Sequence, residues 1–336
     1  MNAPPVDPAN APAMLSEDDR ASEGLDWARH ALDRPALRIE PLAGDASFRR
    51  YFRLRDGREH WVLMDAPPGN EDLEPFIEVS GSLASGGIPV PAILAEDRIR
   101  GFLVLEDLGD RLLRDELSAE APERWFPGLL DLLHRLAEDI SADTLPPYDR
   151  PRLQQELELF PEWYLGRHKG IRLSCAQLDL WEDLATRLLV SAERQPRGFV
   201  HRDFHSCNLL VQPGGQLAVI DFQDAVHGPL SYDLASLLWD RYIPWPRARL
   251  EGWMEAFRAR TLPEYPADQW VRAVDWMGLQ RNLKILGIFA RLNYRDGKAG
   301  YLELLPRFWG YVQDVLPRYP EFRDFHALLE ELACAP

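Results

Sequence analysis

Short alternating runs of apolar and polar residues occupy the first third of the chain, and longer runs of helical period occupy the rest. Arg38-Ile-Glu-Pro-Leu42 and Arg50-Tyr-Phe-Arg-Leu-Arg55 read as strands joined by Ala43-Gly-Asp-Ala-Ser-Phe48, and His60-Trp-Val-Leu-Met64 as a third. A helix is expected from Glu71 to Leu83. Pro91-Ala-Ile-Leu-Ala95 and Gly101-Phe-Leu-Val-Leu105 then alternate around a polar turn. Glu106-Asp-Leu-Gly109 closes this sheet-rich part. Helical patterns follow over Trp125 to Ile140, Leu178 to Val190, Asp233 to Asp240, Ala267 to Leu292 and Gly300 to Leu316.

Two short apolar runs interrupt the helices. Asn208-Leu-Leu-Val-Gln212 and Gln216-Leu-Ala-Val-Ile-Asp221 flank Pro213-Gly-Gly215, a hairpin signal. A hairpin brings its two ends together, so Asn208 and Asp221 are expected to meet. Just before it stands His201-Arg-Asp-Phe-His-Ser-Cys-Asn208, which fits the H-R-D-x-x-x-x-N loop of kinases position by position, and Asp221-Phe222 occupies the place of the D-F-G metal motif. The residue types suit phosphoryl transfer. Asp203, with His201 in the same motif, is the catalytic candidate: an ionised carboxylate accepts the proton of an acceptor hydroxyl. Asn208 and Asp221 offer a neutral and an anionic oxygen to Mg²⁺. A zinc site at His201 and His205 would need helical spacing, which the strand-like flanks oppose, and Cys207 reads as a packed thiol rather than a nucleophile.

Composition narrows the surroundings of this chemistry. The chain has 336 residues, 46% hydrophobic and 27% charged, as in an ordinary globular protein. A net charge of −16 argues against sequence-independent nucleic-acid binding. The three cysteines at 175, 207 and 334 form no CxxC pair, and no apolar run reaches membrane-spanning length. The first 20 residues, rich in Ala and Pro, lack the basic start and apolar run of a signal peptide. A cytoplasmic, membrane-free protein is expected, with ATP and a small molecule as its partners.

The element order predicts an α+β, two-lobed, protein-kinase-like fold, with a small antiparallel-sheet N-lobe and a large, mainly helical C-lobe. The expected divisions are a mobile tail over residues 1–24, a nucleotide-binding N-lobe over 25–106, and a C-lobe over 107–336 with catalytic loop, metal site and acceptor-binding helices. The cleft between lobes is the expected ligand site. Backbone groups of Glu106 and Leu108 are placed to meet adenine as a hinge.

Several strings resemble the aminoglycoside phosphotransferase and choline kinase superfamily more than the protein kinases. No A-P-E follows Asp221. Gly228-Pro-Leu-Ser-Tyr-Asp-Leu-Ala235 is similar to the superfamily segment ending in D-L-A, and the long aromatic-rich helical tail has its counterpart there. The resemblance implies that Asp233 braces the catalytic loop and opens a helix as an N-cap. Gly44-Asp-Ala-Ser-Phe-Arg-Arg-Tyr-Phe-Arg53, Met64-Asp-Ala-Pro-Pro68, Ile220-Asp-Phe-Gln-Asp-Ala225 and the stretch from Gln280 to Leu292 further resemble the bacterial anomeric kinases of N-acetylmuramate and N-acetylglucosamine, enzymes of cell-wall sugar recycling. That resemblance implies transfer from ATP to the anomeric hydroxyl of an amino sugar. An aminoglycoside or other small alcohol is the alternative acceptor of the same fold, and a nucleotide-binding pseudokinase the alternative of another class.

One departure bears on that last alternative. The superfamily's third-strand Lys is replaced by Met64. Either catalysis is lost, or a cation such as Arg49 or Arg50 holds the phosphates. Retention of Asp203, Asn208 and Asp221 together favours an active enzyme. Gly44, Asp45 and Ser47 are the candidates for the phosphate-covering turn. On the acceptor side, Arg281 and Lys284 share one edge of an apolar helix and either face an anionic ligand or form salt bridges. Asp224 is a further candidate for the substrate or second-metal position. Trp239, Trp245, Trp276 and Trp309 either stack on a sugar or belong to the core.

Overall fold

The computed structural model describes residues 17–42 and 48–334, and the chain divides into two compact units, 1–78 with 91–108 and 79–90 with 109–336. Gly44, Asp45 and Ser47 therefore lie outside the described residues.

In the first unit, β1 (Arg38–Pro41), β2 (Arg50–Asp56), β3 (Glu59–Asp65), β4 (Ile93–Asp97) and β5 (Phe102–Glu106) form an antiparallel sheet in the order β1-β2-β3-β5-β4. Leu54, Leu63, Phe102 and Val104 pack with Ala28 of helix α1 (Glu17–Ala31) and with Leu37. The start of α1 corrects the expected tail, which extended to residue 24. Leu25 and Trp27 supply apolar surface, and Arg20 bonds the buried Asp65 at 3.0 Å through Nε. Leu63 and Met64 are both fully buried although they point to opposite faces, so β3 is covered on both sides. A Lys at 64 in this packing would need a buried anionic partner for its ammonium.

Helix α2 (Glu74–Ser85) begins close to the expected place. The second unit is mainly helical. It contains α3 (Leu113–Glu116), α4 (Phe126–Glu138), α5 (Arg150–Leu157), α6 (Cys175–Glu193), α7 (Ser231–Leu238), α8 (Arg247–Thr261), α9 (Ala267–Tyr294), α10 (Leu305–Val315) and α11 (Arg323–Cys334). A π-helical turn over Phe160–His168 follows α5. The helix expected from Gly300 begins instead as a 3-10 segment, Ala299–Leu304, and α10 starts beside Pro306, whose ring nitrogen has no hydrogen to give to a preceding turn. Trp239, Trp245 and Trp276 are core residues at 2%, 7% and 5% exposure, which decides against sugar stacking by these three. Trp309 is partly exposed and stacks on Tyr164.

Two small antiparallel ribbons fix the loop that carries the chemistry. Strand β6 (Arg197–Val200) pairs with β9 (Val226–Pro229), and β7 (Leu209–Val211) pairs with β8 (Leu217–Val219). Residues 201–208 run from the end of β6 to the start of β7, so both ends of the loop are held by ladder hydrogen bonds.

Candidate active site

The β7–β8 hairpin brings Asn208 and Asp221 together. The Ile220 amide donates to the Asn208 carbonyl at 3.0 Å, and Asn208 Nδ2 stands 3.3 Å from Asp221 Oδ2. Asn208 Nδ2 also donates to the Asp203 carbonyl at 3.0 Å, which orients the amide oxygen away from that carbonyl. Asp221 is exposed, and Gln223 Nε2 donates to its other oxygen at 3.0 Å. A hard amide oxygen next to a hard carboxylate suits a divalent cation that keeps water and phosphate oxygens in its remaining positions. Among the described residues, no group of three or more His, Cys, Asp or Glu side chains is arranged to hold a metal unaided.

Asp233 braces the catalytic loop. Its carboxylate accepts the backbone N–H of His201 at 2.6 Å and of Arg202 at 3.0 Å. Its place in α7 differs from the expectation. The helix begins at Ser231, so Asp233 lies inside the first turn and is not the N-cap. Its carboxylate can therefore serve the loop rather than its own helix end. Burial pushes the Asp233 carboxyl up to about 6.

His201 is buried, and its ring is engaged on both sides. Nε2 lies 3.0 Å from the Ile220 carbonyl, and Nδ1 lies 3.3 Å from the Asp203 amide. A carbonyl accepts and an amide N–H donates, so this geometry assigns the neutral tautomer protonated on Nε2. The sequence placed His201 with the catalytic group. Its two ring contacts tie the loop to the strand before Asp221. Both of its nitrogens have local partners, which also weighs against the zinc alternative.

Around Asp203 the electrostatics favour an ionised carboxylate. Burial alone would raise its carboxyl, but the charges around it, that of His205 when protonated and those of Lys284, Arg281 and Arg202, outweigh that and hold it below the usual range. Burial, with repulsion from Arg241, pushes His205 down to about 3. At neutral pH His205 is therefore uncharged, and Lys284, Arg281 and Arg202 are the cations beside Asp203. A carboxylate in this setting accepts a proton only from a group already losing it, as a hydroxyl does when its oxygen bonds to phosphorus.

The cations divide into two kinds. Lys284 Nζ lies 3.0 Å from Glu156 Oε1 and donates to the Tyr232 hydroxyl at 3.0 Å. Glu156 also accepts from Arg202 at 2.9 Å and from the Tyr148 hydroxyl. Burial would raise Glu156 and lower Lys284, and the attraction between them outweighs both penalties. Lys284 thus takes the salt-bridge reading of the two that the sequence left open. Arg281, 2% exposed, forms no ion pair among the described residues, and its Nη1 has no hydrogen-bond partner. Asp224 is exposed and stands 3.9 Å from Arg202 Nη1.

In the first unit, both arginines offered for phosphate binding have carboxylate partners. Arg50 Nε bonds Asp65 at 3.0 Å, and Arg49 stands 3.3 Å from Glu71. A phosphate would compete with those acids. The Glu106 amide donates to the Ala92 carbonyl at 2.8 Å, so that N–H is not a donor for adenine.

Sequence reasoning missed Glu156, Tyr148, Tyr232 and Asp240. Asp240 Oδ2 accepts from Ser206 Oγ at 2.7 Å and from the Ser206 amide at 3.2 Å, a second brace on the loop. Asp240 ends the string that begins at Asp233, and an acid closing such an apolar run was the available signal. Glu156 has no local signal for its charge pairing, because its cationic partners Arg202 and Lys284 are 46 and 128 residues distant in sequence.

Comparisons with known proteins agree with this geometry. A protein 43% identical over 307 residues, covering 89% of each chain, is the N-acetylmuramate/N-acetylglucosamine kinase of Pseudomonas aeruginosa. The enzyme of the same name from Pseudomonas putida is 41% identical over 303 residues, covering 89% of each chain. Among solved structures, the ethanolamine kinase of Plasmodium vivax superposes with a TM-score of 0.64 at 13% identity, covering 94% of this chain and 93% of that one, which shows the shared fold. The model of the phosphotransferase enzyme family matches residues 38–271. With the loop of Asp203 and Asn208, the Asp221 turn and the Asp233 brace in place, the chain belongs to the phosphotransferase enzyme family.

Proposed function

We propose that this protein is an ATP- and Mg²⁺-dependent sugar kinase that phosphorylates the anomeric hydroxyl of N-acetylmuramate and N-acetylglucosamine, as the names of its relatives and the strings at residues 44–53 and 280–292 suggest. The observation that carries the phosphotransfer reading is the braced loop. Asp203 and Asn208 stand on the loop that leads into the hairpin, Asp221 stands at the hairpin's far end, and Asp233 fixes the backbone beside Asp203. Asp203 accepts the proton of O1 as O1 bonds to the γ-phosphorus, and the bond from that phosphorus to the β–γ bridging oxygen breaks to release ADP. The anomeric hydroxyl is the most acidic on the ring, which suits a carboxylate held far below neutrality. Asn208 and Asp221 would hold Mg²⁺, which neutralises phosphate charge. Asp224 at the lip of this turn is proposed to face the acceptor or a second cation. With ATP and a small sugar as partners, the reading is that of a cytoplasmic enzyme.

The test is a comparison of N-acetylglucosamine with its methyl glycoside. The free sugar should consume ATP and give a phosphorus resonance coupled to the anomeric proton, while the glycoside should be inert. Chelation with EDTA should abolish turnover and Mg²⁺ restore it. Phosphorylation of the glycoside at another hydroxyl would overturn the anomeric assignment. Activity on kanamycin with none on either sugar would move the acceptor to the aminoglycosides. ATP binding without turnover on any of these acceptors would favour the pseudokinase.

A further inference from the structure

Helix α9 carries two buried cations about one turn apart, and they differ in their surroundings. Lys284 has Glu156 and Tyr232 within 3.0 Å. Arg281 has no ion-pair partner among the described residues, and its buried Nη1 makes no hydrogen bond. Arg241, just beyond α7, is alike. Its buried Nε lacks a partner, it forms no ion pair among the described residues, and its guanidinium lies over the Phe289 ring at 5.5 Å. Arg241 follows Asp240, whose carboxylate holds Ser206 of the catalytic loop, and Lys284, one turn from Arg281, shares Glu156 with Arg202 of the same loop, so both arginines lie close to it.

A shortage of acids does not explain this. The chain holds 54 Asp and Glu against 38 Lys and Arg. Other buried bases here have carboxylates: Arg53 has Asp107 at 2.6 Å, and Lys284 has Glu156. A buried, unpaired guanidinium is costly to fold around. One left without an ion pair beside the Asp203 carboxylate still has a buried N–H group to offer to an anion from outside the chain.

We infer that Arg281, with Arg241 beside it, forms an acceptor subsite for a carboxylate, and that this subsite favours N-acetylmuramate over N-acetylglucosamine. The inference rests on the sugar-kinase reading above. The two sugars differ in one group, a lactyl ether on O3 that ends in a carboxylate. A planar guanidinium matches a carboxylate through two parallel N–H bonds, which an ammonium cannot reproduce. The transferring phosphoryl group is the other oxyanion that reaches this loop. It is present with either sugar, so a comparison of the two sugars separates the sources.

The test uses Arg281→Met, Arg281→Lys and Arg241→Met in the full chain. It measures kcat/KM on both sugars, calorimetric affinity for each sugar without nucleotide, and thermal melting. For Arg281→Met, the loss on N-acetylmuramate should exceed the loss on N-acetylglucosamine by about 10–100-fold, mainly through KM. Arg281→Lys should recover part of that difference, and Arg241→Met should show a smaller difference of the same sign. The melting temperature of Arg281→Met should fall by less than that of Lys284→Met, because no ion pair within contact distance is broken. Equal losses on both sugars would assign the arginines to the phosphoryl group or to the loop and overturn the subsite. A parent enzyme that binds N-acetylmuramate no more tightly than N-acetylglucosamine would also overturn it. Should the parent phosphorylate neither sugar, the sugar-kinase reading fails by itself. Calorimetry still decides the subsite, which stands if Arg281→Met abolishes binding of N-acetylmuramate and falls if the parent binds none.

Discussion

Replacing Asp233 with Ala should unlock the catalytic loop without touching a reactant. The carboxylate is 4% exposed and receives two backbone N–H groups, from His201 and Arg202. Removing it leaves both donors buried without a partner, at about 1–3 kcal/mol each, so the loss is about 2–6 kcal/mol. Relief from burying a carboxylate offsets part of this. Arg202 also sits at φ 75°, a left-handed conformation that a non-glycine residue holds only when its surroundings enforce it. With the brace gone, the loop should relax at Arg202 and carry Asp203 away from its position. Urea unfolding followed by circular dichroism measures the first effect, and single-turnover kinetics with saturating ATP measures the second. Asp233→Asn keeps one acceptor and turns an amide NH₂ towards the other donor, so it should lose about 1–3 kcal/mol. Unfolding midpoints and turnover equal to those of the parent in both variants would refute the bracing argument.

Other expectations follow from the same geometry. Asp203→Asn should lower turnover by about 10²–10⁴ while nucleotide affinity, measured by calorimetry, stays near the parent value. Lys284→Met breaks a buried pair, for which a loss of about 3–5 kcal/mol is usual. Arg202 and Tyr148 still hold Glu156, so denaturant titration should find the lower end of that range or less. Arg50→Ala should lower the melting temperature, because Asp65 loses one of two guanidinium partners, and should leave the KM for ATP within about threefold. A tenfold rise in that KM with unchanged melting would return Arg50 to the phosphates. The pH dependence of stability has a defined sign at Asp233. Folding raises this carboxyl from 3.8 to about 6, so its contribution favours the folded state below pH 4 and is lost as pH rises through about 6, a change of about 3 kcal/mol. Stability measured from pH 4 to 7 should show this fall in the parent and a shallower one in Asp233→Asn.

The strands, the hairpin and the loop from His201 to Asn208 were legible because each is set by residues close in sequence. Alternation, a Pro-Gly-Gly turn and a fixed spacing are local signals, and the Asn208–Asp221 encounter follows from the hairpin alone. The role of Lys284 was not legible, since it depends on Glu156, a residue in another helix with nothing distinctive around it. The distinction between Arg281 and Lys284 was invisible for the same reason: two cations three apart look equivalent until their partners are known. Helix α1 was partly assigned to a tail because its charged surface hides the few residues that bury. What fixes its start is the bond from Arg20 to Asp65, a long-range contact.

Two glycines in α9 bear on how the acceptor preference of this enzyme can change. A side chain at Gly278 would come within 2.5 Å of Trp239, and one at Gly287 within 2.4 Å of the Leu159 backbone. They are nine residues apart, about 13 Å along the axis, with Arg281 and Lys284 between them. The helix therefore packs tightly near both ends of that stretch, with no room for a side chain at either glycine. Laboratory selection for new acceptors should leave positions 278 and 287 untouched and draw its gains from side-chain replacements between them. Adaptation in this protein would then proceed by exchanging functional groups on a fixed rod, with tolerance to mutation falling sharply at the two points where the rod is gripped.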